Sequence, residues 1–208
     1  METFDRKNFW EHIYQTKQLE EVSWYQPSPR ISLDVMQQHA IPTSAHIIDV
    51  GGGNSLLVDH LLMLGYQHIT VLDISEEALR RAQQRLGTDA KKVTWLQADA
   101  ATFEPTQAYD FWHDRAAFHF LTDQKEIEHY LKAVHQSLTP YGIFLVATFS
   151  QQGPKKCSGI PIQQYSEKSI TERFQCYFEK IACQTHDHPT PFNTLQNFIF
   201  CTFRKKQL

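Results

Sequence analysis

The chain has 208 residues, 41% of them hydrophobic, and a formal net charge of −3. That length and apolar content suit one domain with a sizeable core. The mild negative charge gives no pull toward nucleic acid or an anionic membrane, no apolar run approaches the length of a bilayer span, and no signal-type segment follows the N-terminus, so the expected setting is cytoplasmic.

In chain order, Phe4, Phe9, Trp10, Ile13 and Tyr14 recur at helical spacing and predict a helix over 4–18. An aromatic loop, Val22 to Pro29, follows. Ser28 is the expected N-cap of the next helix, with Pro29 at its first position; that helix runs to about 39 and Pro42 ends it. Then comes the segment that organises the rest. An apolar run at 46–50 breaks at Gly51, Gly52 and Gly53 and resumes as a helical pattern over about 54–64. Strand, glycine turn and helix form the ligand-binding corner of a doubly wound α/β sheet.

Strand two is expected at 68–73. Ser75 caps a helix to about 86, with Glu76 and Glu77 in its first turn, where carboxylates oppose the helix dipole. Strands are expected at 93–97 and 109–113, then a helix from about 123 to 137. The apolar run at 143–149 reads as a strand buried on both faces. The remainder is expected as a loop over 150–165, a helix at about 166–175, and two strands at about 178–185 and 196–204. The fold class is α/β: a doubly wound sheet with an N-terminal helical cap over 1–40 and a Rossmann-like core over 41–208, the whole chain forming one domain.

Three carboxylates identify the ligand. Asp49, Asp73 and Asp99 stand at the ends of the first three strands, and in a doubly wound sheet those ends open on one edge. An acid after strand two suits a pair of ribose hydroxyls, and one after strand three suits an exocyclic amine. Leu56 replaces the third glycine that a pyrophosphate-binding turn requires, and no P-loop lysine follows. The pattern therefore fits an adenosine ligand without a phosphate.

With these residues in order, the sequence resembles the class I S-adenosylmethionine-dependent methyltransferases over roughly residues 40–150. Asp49, Gly51 and Gly53 are similar to that family's first motif. Asp73, with Ile74 beside it, is similar to its ribose-binding acid, and Asp99 with Ala100 to its adenine contact. Tyr109 to Asp114 is similar to its fourth motif, which ends beside the methyl group, and Leu138 to Gly142 to the loop before strand five. The resemblance implies a mostly parallel seven-stranded sheet with an antiparallel last strand and S-adenosylmethionine as cofactor. A small-molecule acceptor is favoured, because the chain has little surface beyond the core. A protein lysine methyltransferase and a non-catalytic cofactor-binding regulator stay open as alternatives.

Trp24 and Tyr25 either pack the N-terminal helices onto the sheet or close over the cofactor, where an aromatic face favours a sulfonium. Of the cluster after strand four, Asp114 is a candidate to orient the acceptor or the methionine amine. His119 is a candidate base, and Arg115 either holds a carboxylate or forms a structural ion pair. Methyl transfer needs alignment above all, and a base only where the acceptor must lose a proton. Cys157, Cys176, Cys183 and Cys201 contain no CxxC pair and are expected to be reduced in a cytosolic chain. Together with His186 and His188 they match no zinc spacing, so no metal is expected. Cys157 sits on the acceptor side, as a packing residue or a soft contact to substrate.

Overall fold

A computed structural model describes residues 4–207; the outermost residues of the expected cap and core, 1–3 and 208, lie outside them. Seven strands form the main sheet: β1 (His46–Val50), β2 (His68–Asp73), β3 (Val93–Gln97), β4 (Tyr109–Arg115), β5 (Leu138–Phe149), β8 (Phe178–Pro189) and β9 (Leu195–Lys205). Their order is β3-β2-β1-β4-β5-β9-β8. The pairs β1–β2, β1–β4, β2–β3 and β4–β5 are parallel, and β9 runs antiparallel to both β5 and β8. The expected mixed α/β sheet is present.

Helices cover both faces. On one face α2 (Arg30–Gln38), α3 (Leu57–Met63) and α4 (Glu76–Leu86) lay Val35, Met36, Leu57, Leu61 and Leu79 against Ile47, Val71, Phe111 and Leu145. On the other, α5 (Gln124–Ser137) and α6 (Glu167–Phe174) bury Ile127, Tyr130, Val134, Ile170 and Phe174 against Trp112, Phe144 and Phe203. Each fully buried side chain of this size contributes about 2–3 kcal/mol. The alternation of strand residues thus feeds two cores, which is why β4 and residues 143–149 of β5 have no solvent-facing side.

Several local expectations shift. The N-cap of α2 is Pro29, not Ser28, and the first helical residue is Arg30. The segment 150–165 carries a small hairpin, β6 (Lys156–Cys157) with β7 (Ile160–Pro161), rather than loop alone. β5 begins at Leu138, because the chain already pairs with Tyr109 there before a register shift. The expectation of four reduced thiols is corrected. Cys183 and Cys201 are direct cross-strand partners and are joined as a disulfide, while Cys157 and Cys176 are free. Facing residues in an antiparallel pair come close enough for such a bond. No helix among the described residues is long and apolar enough to cross a membrane.

The N-terminal helix α1 (Arg6–Thr16) lies across the carboxyl edge of the sheet. Its docking uses α4's free N–H groups. Ser75 caps α4 by accepting from the Ala78 N–H, and Glu11 of α1 accepts from the Ser75 hydroxyl at 2.8 Å and from the Glu77 N–H at 3.1 Å. A carboxylate at a helix N-terminus is favoured by both hydrogen bonding and the dipole. Glu11→Ala is expected to cost about 1–2 kcal/mol, lowering the melting temperature by roughly 2–8 °C and speeding proteolysis within α1. Unchanged melting and cleavage would show that this contact does not hold the cap.

Candidate functional site

The glycine turn after β1 folds back onto β2. The N–H groups of Gly51 and Gly52 both donate to the Leu72 carbonyl, at 2.8 and 3.2 Å. Those donors are therefore spent inside the protein and do not form a phosphate cradle. Gly52 must lack a side chain, since a Cβ there would lie 2.5 Å from Asp49 Oδ2. At Gly53, with φ of +42°, a Cβ would also meet Asp73 Oδ2 at 2.6 Å.

Asp49, Gly51, Asp73, Ile74, Asp99, Ala100 and Trp24 surround two adjoining clefts at this edge. Asp73, Ile74, Asp99 and Ala100 line one, Asp49 lines the other, and Gly51 and Trp24 line both. Gly53 lies behind, against Asp73. Asp73 is buried, and its Oδ1 accepts from the Ser75 N–H at 2.9 Å. Burial pushes its carboxyl up to about 7, with the nearby charges of Asp49 and Glu11 adding to the rise. Asp99 accepts from the Ala101 N–H at 2.9 Å and pairs with Arg6 at 3.2 Å, while Arg6 also binds Glu126 at 2.7 Å. Arg6 thus latches α1 over this cleft.

Asp49 Oδ1 lies 2.6 Å from His113 Nδ1, and His113 Nε2 lies 2.8 Å from the Ser32 hydroxyl. Asp49, His113 and Ser32 stand in the order of a nucleophilic triad. Ser32, however, is only 1% exposed, on a helix packed into the core, so no acyl group reaches it. These contacts instead fix Asp49, whose Oδ2 is buried and has no partner among the described residues.

The segment after β4 departs most from expectation. Asp114 does not reach either cleft. Its carboxylate accepts from the Tyr130 hydroxyl at 2.6 Å and from the N–H groups of Ala117 and Phe118 at 2.9 and 3.0 Å, fully buried on the α5 face. His119 is also fully buried; its Nδ1 accepts from the Phe149 N–H at 3.2 Å. Burial, with the positive Arg115 nearby, takes its pKa down to about 3. The ring is a neutral packing group between Phe120 and Phe149, whose rings are the ones lining the cleft. Neither residue is placed to touch a ligand, because the turn at 115–121 spends Asp114 on its own amides and rotates His119 inward.

Arg115 takes the position those two were expected to fill. It lines both clefts and is half-buried; Nη1 donates to the Trp24 carbonyl at 3.0 Å, and the guanidinium stacks 4.8 Å from the Phe198 ring centre. Its Nε and Nη2 have no partner among the described residues, and burial lowers its pKa to about 10. The structural ion pair, one of the two alternatives for Arg115, is not made among the described residues. Trp24 packs edge-on to Trp10 and Tyr14, and Trp10 to Phe120. Trp24 therefore packs the cap, the first of the two readings weighed for it, and also lines both clefts. Sequence reading missed Arg6, Glu11, Phe149 and Phe198, and no local signal marked them.

Comparison with known proteins agrees with this geometry. Residues 47–142 match the family model described as a methyltransferase domain. The chain is 26% identical over 141 residues to the eEF1A lysine and N-terminal methyltransferase of Mus musculus, covering 67% of this chain and 20% of that protein. It thus spans about a fifth of the length of the curated relatives it matches. Among solved structures it is similar to the N-methyltransferase NodS from Bradyrhizobium japonicum in complex with S-adenosyl-L-homocysteine, with a TM-score of 0.73, 14% identity, and 98% and 100% of the two chains covered. It is also similar to the Burkholderia thailandensis 1,6-didemethyltoxoflavin-N1-methyltransferase, with a TM-score of 0.68, 17% identity, and 97% and 87% covered.

Proposed function

On the premise that residues 47–142 form a methyltransferase domain of the class I, S-adenosylmethionine-dependent family, we propose that the chain, acting as one domain, transfers a methyl group from that cofactor to a small-molecule acceptor. The observation that carries the reading is the strand-end geometry. Three carboxylates open on one sheet edge beside a glycine turn whose amides are already tied to Leu72.

In this reading Asp73 accepts from the two ribose hydroxyls. Ile74 and Ala100 wall the adenine, and Asp99 accepts from its amine once Arg6 swings partly aside. The unpartnered Oδ2 of Asp49 receives the methionine ammonium, with His113 and Ser32 holding the carboxylate in place. Gly51 gives the ligand room, Gly53 leaves space for the Asp73 carboxylate, and Trp24 presents an aromatic face to the sulfonium. When bound, the cofactor supplies an electrophilic methyl group with a neutral leaving group. The protein's share is then alignment and exclusion of water. Asp114 and His119 hold the turn that carries Arg115.

A protein acceptor is the second reading, favoured by the names of the curated relatives alone. Radiolabelled cofactor incubated with cell extract separates the two, since labelled protein bands appear only under the second. The cofactor itself is tested by calorimetric titration. S-adenosylhomocysteine is expected to bind in the micromolar range and NAD not to compete. Preference for NAD, or no binding of S-adenosylhomocysteine, would overturn the reading.

A further inference from the structure

We propose that the acceptor is a small apolar thiol that enters as its thiolate and is held by the Arg115 guanidinium in the aromatic chamber beyond Trp24. This rests on the methyltransferase reading above and names the substrate class of that site.

The chamber is the part of the Asp73–Asp99 cleft lined by Phe120, Phe149, Phe198 and Cys157, and Arg115 lines it too. A buried cation with two free donors and no carboxylate is costly unless a ligand completes it. Arg115 approaches that state: the residue is half-buried, but its Nε and Nη2 are shielded from solvent, only Nη1 is bonded among the described residues, and Phe198 covers one face of the guanidinium. The group that completes it is an anion. The aromatic walls add that the anion sits on an apolar body, because they offer contact area and few other polar partners.

Asp73 and Asp99 line the same cleft but are taken by ribose and adenine in the reading above, and the other described groups around the chamber offer no base to take a proton. Asp114 is consumed by Tyr130 and two amides. His119 lies behind Phe120 and Phe149. Asp49 is bound to His113 in the neighbouring cleft. Cys157 is a neutral thiol, its pKa pushed up to about 11 by burial. The nucleophile must therefore arrive deprotonated. An alkyl amine such as a lysine side chain is protonated at neutral pH, with a pKa near ~10.4, and would bring a second cation against Arg115. A thiol ionises near ~8.5, and a guanidinium lowers that further. Thiolate is also the strongest nucleophile of the common anionic groups. A carboxylate satisfies Arg115 but attacks poorly.

The step balances without a base. The thiolate sulfur forms the new S–CH3 bond as the sulfonium S–CH3 bond breaks. The electron pair of the broken bond stays on the departing sulfur, giving a thioether and S-adenosylhomocysteine, and the thiol's proton is left in solvent before entry.

Thiophenol, aniline and benzoate share a ring and test the class directly on the full chain with S-adenosylmethionine. Thiophenol is expected to be methylated at least ~10-fold faster than either of the others. It is also expected to bind the S-adenosylhomocysteine-loaded protein in a calorimetric titration. Arg115→Met should weaken that binding about 10-fold or more and leave S-adenosylhomocysteine affinity within about threefold. Methylation of aniline or benzoate at the rate of thiophenol would overturn the proposal. So would a collapse of S-adenosylhomocysteine affinity in folded Arg115→Met and Arg115→Lys, since the guanidinium would then serve the cofactor's carboxylate. If the variants fail to fold, the wild-type ranking of thiol against amine and carboxylate decides. Failure of S-adenosylhomocysteine to bind the wild type would instead overturn the methyltransferase reading itself.

Discussion

Asp73→Asn is expected to weaken S-adenosylhomocysteine binding by about 100-fold or more while raising the melting temperature of the free protein above pH 7. The first half follows from two hydrogen bonds lost to a charged acceptor, each contributing roughly 1.5–3 kcal/mol. The second follows from where the carboxylate sits. Asp73 is 5% exposed, and burial lifts its carboxyl from the usual 3.8 to about 7, helped by the Asp49 and Glu11 charges. A folded pKa above the unfolded one means that the folded protein holds the proton more tightly. Stability of the free protein therefore falls as pH rises from about 4 to about 7, by up to ~4 kcal/mol. Asparagine removes that loss and still accepts from the Ser75 N–H. The variant's advantage should be several degrees at pH 8 and fade toward pH 4. Parallel melting curves for the two proteins across that range would show that Asp73 is not held at such a cost. The ribose ligand thus binds a site kept ready against the fold's own preference, a common trade between stability and function.

Asp114→Ala is expected to unfold the protein rather than to slow its chemistry. The substitution leaves the Tyr130 hydroxyl and the amides of Ala117 and Phe118 without their acceptor, at a position where the carboxylate itself is fully buried. Removing one partner from such a network costs roughly 3–5 kcal/mol, which lowers the melting temperature by about 6–20 °C in a chain of this size. Turnover per folded molecule, measured well below the transition, should stay within a few-fold of wild type. Asp114→Asn keeps one acceptor and should fall between the two. A variant with wild-type melting and no turnover would return Asp114 to the reacting atoms.

The contrast between Asp114 and Arg115 shows where sequence reading stops. Consecutive strand residues face opposite ways, so one of the pair faces α5 and the other the clefts. Which is which was not legible, because β4 is buried on both faces and its pattern carries no polar side. The disulfide escaped for a related reason. Cys183 and Cys201 are neighbours only through the β8–β9 register, and register is a property of pairing, not of either strand alone.

The glycine corner, the order of the main strands and helices along the chain, and the carboxylates at the ends of the first three strands are written in the primary structure. These are local facts: a turn needs residues without a Cβ, and periodicity of two or 3.6 declares strand or helix. The tertiary structure alone decided how those carboxylates are held and what faces them. Glu11 on the α4 N-terminus, Arg6 on Asp99, Ser32 behind His113 and Arg115 against Phe198 are all contacts between residues far apart in sequence. Each depends on the direction in which a side chain leaves its element and on which distant group meets it there. That information exists only once the chain has packed.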